Sequence, residues 1–210
     1  MPSTIVHAAV NKKVANKLGI DNIDFNVGGI SPDISKLVGN DRCYSHFCNT
    51  FYGPPNLDKF LYKYREYLRE PFVLGYYVHL YTDYLFETYF VPSFLSEERN
   101  VITKIDGTKV SCNEAIFKQY IYNDYTDLNT KLISKYKLDF SFLDEPYTSN
   151  KAFIDEVPMD KIDVLFKANK EILQKSKERK HFLFDTKDIV SFIEFSSKII
   201  TEKIESMNIL

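Results

Sequence analysis

Histidine is scarce in this chain: four occur in 210 residues, and tryptophan is absent altogether. Glycine (seven) and proline (eight) are also few, which argues against a turn-rich all-β fold. No stretch reaches the ~18 uninterrupted apolar residues of a membrane-crossing helix. Even residues 72–90 are broken by His79, Asp83 and Glu87. Basic charge is not in excess: with a net charge of −2 and a pI of about 6.1, nothing draws the whole molecule toward nucleic acid. The one basic cluster, "KSKERK" at Lys175–Lys180, is short and reads as a solvated helix end. Cys43, Cys48 and Cys112 lack zinc-ribbon spacing and read as reduced thiols. No basic segment followed by an apolar core opens the chain, so a secretory leader is not expected and a soluble, cytoplasmic protein is.

What the chain does have is core material, 44% hydrophobic with 15 Tyr and 17 Phe, enough for a single domain over residues 1–210. Ser3 or Thr4 can cap a first helix that Gly19 ends. Residues 20–41, dense in Gly, Asp and Asn, read as a loop with at most one helical turn. "CYSHFCNTFYGPPN" reads as irregular. Helix signals resume at Leu57–Arg69 and over about 71–90, with Pro71 in the first turn and Pro92 just past the end. A small hairpin is expected around Asp106–Gly107, then helices from Asn113 to about Tyr136, at about 158–180 and at about 186–207. The expected fold is all-α, a helical bundle of five to seven helices.

The stretch "LGYYVHLYTDYLFETYF" is apolar enough for a core helix, yet His79, Asp83 and Glu87 recur in it at four-residue intervals after Gly75. Residues i and i+4 share a helix face, so His79 and Asp83 can present a nitrogen and a carboxylate oxygen to one point. Zinc accepts that pair; a buried hydrogen-bonded pair is the plainer reading. Gly75 either leaves room above a metal for substrate or lets another helix approach. Glu87, rotated away because a turn is 3.6 residues, is either a partner that orients a ligand or half of a surface salt bridge. "GGISPDISKL" places Asp33 in a loop, as a ligand or as a helix cap. "SHF" supplies His46, a ligand or a satisfied core histidine. "VHAAV" supplies His7, a ligand or a surface residue.

The order of "IVHAAV", "GGISPDI", "SHF" and "LGYYVHLYTDYLFE" within residues 1–90 resembles the zinc-dependent phospholipase C family, whose helical fold is shared with S1/P1-type nucleases. The resemblance implies a helical domain with catalytic metals in a cleft. His46, His79, Asp83 and Asp33 would match the ligands of one zinc, and Asp83 would bridge toward a second ion held by His7. Asp33 would also sit beside the nucleophilic water as general base. Bound zinc lowers the pKa of its water to about 7, supplying hydroxide at neutral pH, and phosphate-ester hydrolysis follows.

Two features depart from the family. Its processed N-terminal residue is a ligand, a part Pro2 would have to play here. The later histidines of its third metal site are missing, so one or two ions are expected. Asp124 in "YNDYTDLN" either fills that gap, with Tyr122 and Tyr125 touching substrate, or lies on an exposed helix face, the preferred reading. His181 is read as an ordinary surface or interface residue. The implied activity is zinc-dependent, phospholipase C-like phosphodiester hydrolysis, acting on a small phosphate ester or a phospholipid head group. A lipid-binding helix with a basic face is not visible, and nucleic acid is disfavoured because no basic groove accompanies the aromatics. The alternative is a helical binding or structural domain that retains a non-catalytic metal site. A histidine–aspartate phosphohydrolase is disfavoured because no His–Asp dipeptide occurs.

Overall fold

The computed structural model describes residues 2–50, 53–148, 154–174 and 180–209. Polar side chains set where its helices start. Ser3 accepts the Val6 N–H at the head of α1 (Thr4–Leu18), and Gly19, at φ 70°, ends it in the left-handed region that glycine adopts freely. Residues 20–46 hold more helix than the expected loop: α2 (Ile23–Gly28), a 3₁₀ turn (Ser31–Asp33), α3 (Ile34–Leu37) and α4 (Arg42–His46). Local caps explain the difference. Asn22 accepts the Asp24 N–H at 2.7 Å and Asp41 accepts the Cys43 N–H at 2.8 Å, so a Gly- and Asp-rich stretch starts short helices as well as turns.

Helix α5 (Leu57–Tyr64) precedes α6 (Pro71–Leu85), which continues through one π turn (Phe86–Phe90) into a 3₁₀ turn carrying Pro92. The expected hairpin is present, β1 (Val101–Thr103) antiparallel to β2 (Lys109–Ser111), with Gly107 at φ 80° in its turn. Helix α7 (Glu114–Tyr136) starts at Asn113, α8 spans Ile162–Gln174, and α9 (Thr186–Ser206) opens on an Asp185–Asp188 capping box. The fold is mostly helical. Of the basic cluster, residues 175–179 lie outside the described residues.

Helix α6 runs through the core, with Phe72, Val73, Leu74, Tyr76, Tyr77, Val78 and Leu80 all buried. Against it lies α2, and Gly75 makes that approach possible: a Cβ there would stand 2.1 Å from the Phe25 carbonyl oxygen. Gly75 therefore seats α2 on α6 and leaves no room for a substrate. Gly28 does the same from the other side, its added Cβ falling 2.0 Å from the Phe72 carbonyl. These two glycines bring the 28–33 segment, including Asp33, down onto the face of α6 that carries His79 and Asp83. Among the described residues, no helix is long and apolar enough to cross a membrane.

Candidate metal centre

Helices α1, α4 and α6 and the 3₁₀ turn converge on one cluster, His7, Asp33, His46, His79 and Asp83. His7 and His79 stack face to face at 3.7 Å, and His46 meets His79 edge-on at 5.4 Å. Asp83 lies between imidazoles, Oδ1 3.3 Å from His7 Nε2 and Oδ2 3.3 Å from His46 Nε2. Asp33 Oδ1 stands 3.9 Å from His46 Nε2. The donors fall into two overlapping groups, His7–His79–Asp83 and Asp33–His46–His79, and within each the ligand atoms lie within 4.8 Å of one another.

Neighbouring groups fix which nitrogens face inward. His79 Nδ1 lies 2.8 Å from the Gly29 carbonyl oxygen, which only accepts, so Nδ1 carries the proton and Nε2 the lone pair. His46 Nδ1 lies 3.0 Å from Ser45 Oγ, whose own proton goes to the Pro32 carbonyl at 2.7 Å. The hydroxyl therefore accepts from His46 Nδ1–H, and His46 Nε2 is also bare. Burial lowers the pKa of both rings, His79 to about 4 and His46 well below its ordinary value, despite the opposing pull of Asp83 on each.

Burial alone would raise the Asp83 carboxyl, but His7, Arg42 and His46 hold it well below the usual carboxylate range. Burial likewise opposes ionisation of Asp33, and Lys36 (Nζ 2.9 Å from Oδ1) with the histidines lowers it.

The cluster is short of hydrogen bonds. Among the described residues, ten buried side-chain polar atoms have no partner, and five belong here: both nitrogens of His7, Nε2 of His46, Nε2 of His79 and Oδ1 of Asp83. The 3.3 Å approaches to Asp83 are close without being hydrogen bonds of good geometry. Buried groups left in this state cost free energy, and a divalent cation satisfies nitrogen and carboxylate lone pairs together. The donor set thus fits a metal ion. His7 is neither a surface residue nor His46 a satisfied core histidine.

Access to solvent is one-sided. His7, His46, His79 and Asp83 are buried, while the Asp33 side chain is 21% exposed. It lines a cavity of about 380 Å³ with Pro2, Lys36, Tyr122, Asn129 and Leu165, and Tyr125 lies on the same wall.

Asp124 is neither a metal ligand nor an exposed residue. It is fully buried, and its carboxylate accepts the backbone N–H groups of Phe182, Leu183 and Phe184. His181 is half-buried, with Nε2 on the Asp127 carboxylate. Glu87, in the π turn, pairs with Arg99 at 3.3 Å.

Arg42 also reaches the cluster. Its guanidinium lies against Asp83, Nη2 to Oδ2 3.1 Å, on the oxygen that also meets His46 and not on the Oδ1 that meets His7, toward which a bridged second ion was expected. A single arginine in a short turn carries no spacing signal. Comparison with family models, with curated proteins and with solved structures finds no match for this chain.

Proposed function

We propose that this chain is a metal-dependent phosphoric-ester hydrolase of the phospholipase C type, with zinc as its ion. The observation that carries the reading is the set of buried, partnerless donors on His7, His46, His79 and Asp83, beside an ionised, partly exposed Asp33. The motif order within residues 1–90 and the mostly helical architecture support the same family. A bound divalent cation polarises a phosphoryl oxygen and lowers the pKa of water.

The chain's own residues do the rest. Gly29 and Ser45 hold the imidazoles in the ligating tautomer. Asp33, on the solvent side, orients the attacking water and accepts its proton. Lys36, 2.9 Å from Asp33, adds positive charge at the cavity where a phosphate ester or a phospholipid head group would enter.

A second reading is a binding or structural domain with a non-catalytic ion, and the near-complete burial of four of the five donors favours it. Elemental analysis of gently purified protein, paired with a nitrophenyl phosphodiester assay with and without chelator, separates the two. Stoichiometric zinc with chelator-sensitive turnover supports hydrolysis. Zinc without turnover leaves the binding domain, and absence of any bound metal removes both.

A further inference from the structure

Among the described residues, electron-pair donors around the Arg42 guanidinium include Asp83 Oδ2 at 3.1 Å from Nη2, with Cys48 Sγ at 3.0 Å and the Gly53 carbonyl at 3.2 Å from Nη1. Carboxylate, sulfur and carbonyl are groups that elsewhere hold a divalent cation. Here they hold an organic one, nine-tenths buried and permanently charged.

A second observation limits the number of ions independently. His79 offers one ligand atom, because its Nδ1 is committed to the Gly29 carbonyl. Both donor groups, His7–His79–Asp83 and Asp33–His46–His79, need that same Nε2. One imidazole lone pair serves one ion, so the two groups cannot each be filled by an ion of their own.

We propose that the centre takes a single divalent ion, and that Arg42 supplies at Asp83 Oδ2 the positive charge a second ion would bring. This rests on the metal-dependent reading above. Asp83 would then share its charge between a bound ion and the guanidinium on Oδ2. Arg42 also walls a cavity of about 370 Å³ with Lys36, Arg99 and Phe117. Its fixed charge therefore stands between Asp83 and a second cavity, whose walls carry the acids Asp41, Glu87 and Glu114 as well as these bases. Arg42 acts as a positioning residue through Asp83, and its loss is read in metal content before activity.

The test is zinc per chain at saturating free zinc, measured by elemental mass spectrometry after gel filtration, for wild type, Arg42→Lys and Arg42→Ala. One ion is expected in wild type and in Arg42→Lys, which keeps the charge. Arg42→Ala opens the Asp83, Cys48 and Gly53 donors and is expected to rise toward two. Two ions in wild type or in Arg42→Lys overturn the proposal while leaving metal-dependent hydrolysis standing. One ion in a folded Arg42→Ala removes the role given to Arg42. No ion in any of the three removes the metal reading and this inference with it. Should Arg42→Ala fail to fold, the wild-type and lysine counts still decide.

Discussion

Asp83 on α6 and Asp124 on α7 are both completely buried carboxylates inside long helices, yet the fold treats them in opposite ways. Asp124 is saturated: three consecutive N–H groups from residues 182–184 and the Asn123 amide converge on it, so it ties the chain before α9 to the middle of α7. Asp83 receives a guanidinium on Oδ2, beside the His46 nitrogen, and on Oδ1 only the His7 nitrogen, badly aligned for a hydrogen bond. Burial is therefore no guide to a functional acid. What separates the two is whether the protein itself completes the coordination of the carboxylate. Where it does, the residue holds the fold together. Where it leaves lone pairs facing other lone pairs, the donors can hold a cation.

The largest expected effects fall on the unsatisfied member. Asp83→Asn and His79→Ala should each weaken zinc binding on the order of a hundredfold or more, since each removes one ligand of a closed set. Asp83→Asn also strands a buried Arg42, so the metal-free protein should lose about 3–5 kcal/mol. Asp124→Ala should behave in reverse. Three N–H groups, two of them buried, lose their acceptor, at about 1–3 kcal/mol for each buried one before relaxation, while zinc content stays at the wild-type value. Calorimetric titration with zinc and denaturant melts of the same variants would check both halves. If Asp124→Ala emptied the metal site of a folded protein, or Asp83→Asn left it full, the contrast between the two carboxylates would fail.

Acid should strike the same cluster. His79 has a folded pKa of about 4 against an ordinary 6.5, so between these values the unfolded chain binds the proton and the folded one does not. Stability of the metal-free protein thus rises with pH across that window and is fully present above it. Its amplitude is about 3 kcal/mol for a ring this deeply buried. Asp83, whose folded pKa is depressed, loses its contribution as pH falls below the ordinary carboxylate range, so the two act in the same direction. His79→Gln should flatten the upper part of the curve in urea melts from pH 4 to 7. An unchanged slope would show that His79 is not held neutral by its surroundings.

How much of this was legible in the sequence follows the range of each interaction. The His79–Asp83 pair is a local spacing on one helix and could be read directly, as could the caps at Ser3, Asn113 and Gly19. His7, Asp33 and His46 could be tied to that pair through motif order alone. The approach of Asp33 depends on α2 lying against α6, which Gly28 and Gly75 permit by having no side chain. Asp124 was misread because the N–H groups that saturate it lie some 60 positions downstream, beyond any periodicity. Arg42 was missed for a similar reason: its carboxylate is 41 residues away and its carbonyl 11.

Asp33 stands between the two extremes, partly exposed and already held by Lys36, and it gives the finest test of the contrast. The Lys36–Asp33 ion pair is 40% and 21% exposed, at a spacing worth a few tenths of a kcal/mol on a helix surface. Lys36→Met should therefore change stability by less than about 1 kcal/mol. The same ammonium competes with a divalent ion for Asp33 Oδ1 and repels it through a partly solvated medium. Its removal should tighten zinc binding, by no more than about tenfold because water screens the pair. Competition titration against a chelator of known affinity resolves a change of that size. Weaker zinc binding in Lys36→Met would mean that the lysine holds Asp33 in place for the ion, and Asp33 would then belong with the residues the protein completes for itself.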